Sequence, residues 1–213
     1  MNIAIRDTLL LLACFACLLP GVAAGQAGER QAGRWYIGGG LGGFAEADNA
    51  QISGQDPEFS AFFSGGFRAS PNVAIEATAM NWYQDFSTPA SISPGVLPTA
   101  DARTDLTTFG VGALVKFIVP LESVDFFAGA GLGVYTTNLN VKGTSGGASV
   151  EIDEYDTDLG IQAVLGVDVF VSNRISVGLE YRWLKLDATF QPFIADDLDV
   201  GGQFFFATIR GYF

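Results

Sequence analysis

Histidine is absent from this 213-residue sequence, and its two cysteines, Cys14 and Cys17, both lie ahead of residue 25. The rest of the chain therefore cannot build a Ser-His or Cys-His nucleophile pair, and it lacks the usual side-chain ligands of transition metals. Carboxylate chemistry is what remains. Glu151, Asp153, Glu154, Asp156 and Asp158 form one acidic run, and Asp196, Asp197 and Asp199 form a second group. Carboxylate oxygens suit hard cations such as calcium, but the first run does not follow EF-hand spacing. We expect both groups to be solvated acidic surface, and we assign no catalytic residue, cofactor or metal.

A second set of charges is embedded among apolar residues instead of clustered: Arg68, Glu76, Lys116, Asp168, Glu180, Arg182 and Arg210. Their meaning depends on the elements that carry them. Residues 1–24 are set aside first. Arg6, an apolar run over Thr8–Leu19, a break at Pro20-Gly21 and small residues at Val22-Ala23-Ala24 have the layout of a secretory signal peptide. A lipoprotein signal is the alternative, because Leu11-Leu12-Ala13 precedes Cys14. Residues 25–213 are then one domain by length, and both cysteines leave with the signal, so no disulfide holds it.

No later stretch has the ~18 uninterrupted apolar residues of a membrane helix. Yet 49% of residues are hydrophobic and only 16% are charged, against ~25% charged in a soluble domain. A transmembrane β-barrel reconciles these numbers, because its apolar surface is spread over alternate residues of many strands. We read strands at 34–44, 58–68, 73–84, 105–118, 124–137, 157–170, 175–187 and 201–213. The alternation is clear at Phe109, Val111, Ala113, Val115 and Phe117, which share one face, with Thr108, Gly110, Gly112, Leu114 and Lys116 on the other. Connections alternate in length: 69–72, 119–123 and 171–174 are tight, and the other four are long. Barrels of bacterial outer membranes have short periplasmic turns and long external loops, which predicts eight antiparallel up-and-down strands with both termini periplasmic. Aromatics gather near strand ends at Trp35, Tyr36, Phe59, Trp82, Tyr83, Phe126, Trp183, Tyr212 and Phe213, where interfacial girdles lie.

These residues resemble the OmpA/OmpX-like family of small outer-membrane barrels. The segment Gly66-Phe67-Arg68-Ala69-Ser70-Pro71-Asn72-Val73-Ala74-Ile75-Glu76 is similar to the family's turn between its second and third strands. Gly129-Ala130-Gly131-Leu132-Gly133-Val134 resembles its glycine-rich fifth strand, and terminal Phe213 resembles the end signal read by the outer-membrane insertion machinery. The resemblance spans the mature chain and implies location in the cell outer membrane of a Gram-negative envelope. OmpA continues into a peptidoglycan-binding domain; this sequence ends at the eighth strand, so that role is not expected. Catalytic outer-membrane barrels resemble one another in using a histidine base, so an enzyme is not expected either.

The seven embedded charges fall on the polar face and should point inward. Eight strands enclose only enough room for side chains, and buried charges must be paired, so we expect an ion-pair network filling the barrel. Inward glycines such as Gly38, Gly40, Gly110, Gly112, Gly129, Gly131 and Gly133 should leave room for Phe62 and Tyr135. The long connections hold most of the 23 acidic residues and give the net charge of −12 its location. That surface should repel nucleic acid and contact outer-membrane lipid and lipopolysaccharide, sharing divalent cations with its phosphates. Phe190 and Phe193 look like an exposed apolar cluster. We expect a monomer with a structural or surface-interaction role. The alternative is an OmpW-like narrow channel for small hydrophobic molecules or ions, with Phe62, Val164 and Phe206 lining an apolar lumen.

Overall fold

The computed structural model describes residues 31–46, 59–86, 103–145, 148–190 and 198–213. The signal segment, residues 47–57 and 87–102 of the first two long connections, Phe193 and the acids Asp196 and Asp197 lie outside these residues. Among the described residues there are ten strands: β1 (Arg34–Glu46), β2 (Phe59–Ser70), β3 (Val73–Phe86), β4 (Arg103–Leu121), β5 (Val124–Ser145), β6 (Ala148–Phe170), β7 (Ile175–Lys185), β8 (Asp187–Ala188), β9 (Leu198–Asp199) and β10 (Gly202–Tyr212). β1 to β7 and β10 form a closed antiparallel barrel in the order β1-β10-β7-β6-β5-β4-β3-β2, and β8 pairs with β9 as a separate two-stranded ribbon. Closure runs through β1, which pairs with β10 from Tyr36↔Tyr212 to Glu46↔Gly202 and with β2 on its other side.

Alternation along the strands decides which way each side chain points. Leu159, Ile161 and Leu165 of β6 are exposed, while Gln162, Val164 and Asp168 are buried. The same parity exposes Phe109, Val111, Val115 and Phe117 on β4 and buries Leu106, Thr108, Leu114 and Lys116. An apolar outer wall with a polar inner one is the reverse of a soluble fold, and it is the arrangement that lipid demands. From Leu159 to Val169 the apolar stretch of β6 is about 11 residues long, a tilted membrane crossing.

The short turns are fixed locally. Ser70 Oγ accepts the Asn72 amide at 3.2 Å, and Asn72 Nδ2 donates to Ile118 O at 2.9 Å. Ser172 Oγ accepts the amides of Arg174 and Ile175 at 3.2 and 3.1 Å. Gly33 enters β1 at φ +76°, a left-handed conformation that side chains disfavour, and its amide donates to Arg68 O at 2.7 Å.

Three expectations are corrected. The connection placed at 138–157 is a paired hairpin, because β5 and β6 continue in register to Ser145↔Ala148. Its polar residues alternate with apolar Leu139 and Val141, which are buried, and Ile152, which packs against them; charge density masked a strand. The aromatic girdle loses Tyr36, Trp82 and Tyr212, which are buried. Consecutive aromatics on a strand face opposite ways, so only Trp35, Tyr83 and Phe213 of those pairs face out. Phe190 is buried as well, at 3% exposure, and joins the apolar cluster that includes Leu139, Leu186 and Phe204.

Candidate functional site

All seven embedded charges are buried inside the barrel, each carried there by the inward parity of its strand. Glu180 on β7 is their hub. Its Oε2 accepts Arg210 Nη2 at 2.6 Å and Lys116 Nζ at 3.2 Å, and its Oε1 accepts Arg182 Nη2 at 2.5 Å. Lys116 also donates to Glu76 Oε2 at 2.8 Å, and the Tyr36 hydroxyl donates to the same oxygen at 2.8 Å. Arg210 pairs with Asp168, while Arg182 Nη1 donates to Gln162 Oε1 at 3.2 Å.

The sequence reading missed Asp125, which is 2% exposed and pairs with Arg68. Its position was available by counting inward from Tyr135 through Gly133, Gly131, Gly129 and Phe127. With it, Arg68, Lys116, Arg182 and Arg210 face Glu76, Asp125, Asp168 and Glu180, four bases against four acids among the buried residues described. Balance matters here because an unmatched charge inside the wall carries a desolvation cost of several kcal/mol. Aromatic faces complete the solvation of the cations: Lys116 Nζ lies 4.6 Å from the Phe127 ring centre and Arg182 lies 4.7 Å from that of Phe62.

The lumen is layered around this network. Toward the short turns, Tyr36, Ile118, Phe127, Phe170 and Tyr212 form a floor, with Tyr212 5.3 Å from Tyr36 and 5.4 Å from Phe170 between ring centres. A cavity of about 20 Å³ lies between floor and network, lined by Arg68, Asp125, Asp168 and Arg210 among others, roughly the room of one water. Toward the long connections, Phe62, Trp82, Tyr135, Leu184, Phe204 and Phe206 form an apolar plug. Phe62 meets Phe206 edge-on at 4.8 Å, and Trp82 meets Phe204 at 5.2 Å. Inward glycines make the space for it. A Cβ on Gly133 or Gly160 would lie 2.7 or 2.8 Å from the Tyr135 ring.

The acidic run is not one cluster. Glu151, Asp153 and Tyr155 point outward from β6, while Glu154, Asp156 and Asp158 point toward the mouth by parity. Among the described residues no group of three or more acids is placed to hold a metal ion. Asp156, beyond the lipid-facing stretch, accepts the Thr189 amide at 2.5 Å and the Thr157 amide at 2.9 Å. Partial burial works against its charged form, but those amides and Asp158 prevail and hold its carboxyl below the ordinary value. Asp199 and Asp187 bracket Lys185 at 2.9 and 2.6 Å. Phe213 is 68% exposed, with its amide donating to Trp35 O at 3.0 Å.

A closed eight-stranded barrel, apolar outside and ion-paired inside, defines the small transmembrane barrels of bacterial outer membranes. The chain belongs to the outer membrane protein beta-barrel domain family, whose model matches residues 14–205, and it is a protein of the outer membrane. Among solved structures it is similar to Neisserial surface protein A (NspA), 17% identical with a TM-score of 0.58 over 85% of this chain and 98% of that one. It is also similar to OprG of Pseudomonas aeruginosa, 15% identical with a TM-score of 0.57 over 87% and 98%. A third is Ail, the attachment invasion locus protein of Yersinia pestis, solved with the heparin analogue sucrose octasulfate. It is 11% identical with a TM-score of 0.51 over 85% and 99%. At these identities the likeness is one of fold. No curated protein matches the sequence.

Proposed function

We propose that this protein is a closed, non-catalytic barrel with a structural and surface-interaction role in the Gram-negative envelope. In this reading both termini are periplasmic, Phe213 is the insertion signal, and the β5–β6 hairpin stands outside the cell among the glycolipids. One observation carries the proposal: Glu180, inside the lumen, is bound at once by Lys116, Arg182 and Arg210. Side chains locked in this way across an eight-stranded barrel leave no continuous path for solute. The absence of histidine from the sequence and the pairing of every interior acid with a cation support a non-catalytic role. The net charge of −12 argues against carrying over to this chain the heparin-analogue binding of Ail.

The OmpW-like channel is less supported, because Phe62 and Phe206, expected to line an apolar conduit, pack edge-on at 4.8 Å over Gly40 and join Trp82, Tyr135 and Phe204 in one buried apolar cluster. The experiment is single-channel recording of the refolded protein in a planar bilayer. The closed barrel gives no stable current. Steady openings of uniform size would overturn it in favour of the channel.

A further inference from the structure

The outer wall does not stop where the lipid does. On β3, β4, β5 and β6 the same outward parity continues past the apolar stretch, and strand register lines the residues up in rows. Val111, Val134 and Leu159 make the last wholly apolar row. One outward step beyond lie Asn81, Phe109, Thr136 and Thr157; the next step holds Tyr83, Thr107, Asn138 and Tyr155. Above them Asp105, Asn140 and Asp153 form a third row, and Lys142 and Glu151 begin a fourth. These rows climb toward β7, because polarity begins there at Lys185, which pairs with the still apolar Ile161 of β6. Tilted strands require that obliquity.

We propose that this strip is a binding face for the sugar portion of the outer leaflet's own glycolipid, with Tyr155, Asn138, Asp153 and Asp105 as its contacts. The inference rests on the outward orientation of the hairpin proposed above. Its occupant follows from continuity: the wall directly below is covered by acyl chains, so the molecules that cover the strip are the polar parts of the same lipids. The chemistry of the strip selects among those parts. Asp105, Asp153 and Glu151 repel bare phosphate but accept hydrogen bonds from sugar hydroxyls. Tyr155 is 67% exposed, an open aromatic face beside those acceptors, and Tyr83 stands at the other end of its row, three inter-strand steps or roughly 14 Å away. The polar side chains are already held in place. Thr136 and Thr157 hydroxyls are 2.9 Å apart, Asn138 Nδ2 donates to Asp153 Oδ1 at 2.5 Å, and Tyr83 donates to Asp105 Oδ1 at 2.7 Å. Acceptor oxygens fixed before binding lose little entropy on meeting a sugar.

The test places the full refolded barrel in nanodiscs of phospholipid containing either lipopolysaccharide with its core sugars or lipid A without them. The core-bearing lipid should shift the side-chain amide signals of Asn138 and Asn140, and lipid A should not. Tyr155→Ala should lower retention of core-bearing lipid through detergent exchange by about threefold or more, the size of one lost contact. Retention of lipid A and the cold-gel mobility of the folded barrel should not change. Equal shifts with both lipids, unchanged retention in Tyr155→Ala, or loss of the core dependence on adding a chelator would each overturn the proposal; the last would mean contact through cations and phosphate. A tag inserted between Gly146 and Gly147 separates the two readings. A tag reached from outside intact cells keeps the orientation whatever the sugars do, and a tag hidden from outside removes both.

Discussion

Lys116 on β4 reaches across the lumen to Glu180 on β7, with Nζ 3.2 Å from Oε2. These strands are not neighbours in the barrel, since β5 and β6 separate them on one side. A pair of this kind ties non-adjacent strands together through the lumen, which hydrogen bonds between adjacent strands cannot do.

Loss of the hub should be the most damaging single change. Glu180→Gln leaves Lys116, Arg182 and Arg210 facing one another with one fewer negative charge. Removing one partner of a buried pair costs about 3–5 kcal/mol. The expected outcome is unfolding at clearly lower urea than wild type, read from loss of the fast-migrating band on unheated gels. Lys116→Met should cost less, since Glu180 keeps both arginines and no acid loses all its partners.

The floor, the ionic network and the apolar plug are stacked along the lumen, so one breach should not open it. Lys116→Ser leaves the apolar plug of Phe62, Trp82, Phe204 and Phe206 in place, and Phe206→Ala leaves the ionic network. Each alone should stay silent in planar bilayers, and so should the double variant, because the floor of Tyr36, Phe127, Phe170 and Tyr212 is untouched. Conductance in either single variant would mean that only one layer seals the barrel.

Tyr135 and the glycines under it form a coupled unit. Gly133→Ala should destabilise the barrel by about 1–3 kcal/mol, the usual cost of overpacking, because the new methyl meets the ring. In Tyr135→Leu the same substitution should cost much less. A double-mutant cycle from urea titrations measures the coupling, and additive effects would refute it.

Asp156 pins the segment after β7 to the hairpin through the Thr189 amide at 2.5 Å. Its carboxyl is held below the ordinary 3.8, so the stabilisation is complete above that value and fades only as pH falls below it. Protection of the Thr189 amide from hydrogen exchange should therefore persist at pH 5, and Asp156→Ala should remove it at every pH.

The sequence by itself determined the barrel, the strand number, the short turns and the inward placement of Arg68, Glu76, Lys116, Asp168, Glu180, Arg182 and Arg210. The physical reason is that two-residue periodicity is local: once one face must meet lipid, parity assigns every other residue on that strand. The same rule placed Phe62, Val164 and Phe206 inside. It misled where composition was allowed to outweigh it, as in the acidic stretch from Asn138 to Thr157 and at Tyr36, Trp82 and Tyr212. Only the tertiary structure decided who pairs with whom. Register between strands sets whether Lys116 reaches Glu76 and Glu180, whether Arg68 finds Asp125, and whether Tyr83 and Tyr155 share a row. Those relations join residues dozens of positions apart, and they exist only once the barrel has closed.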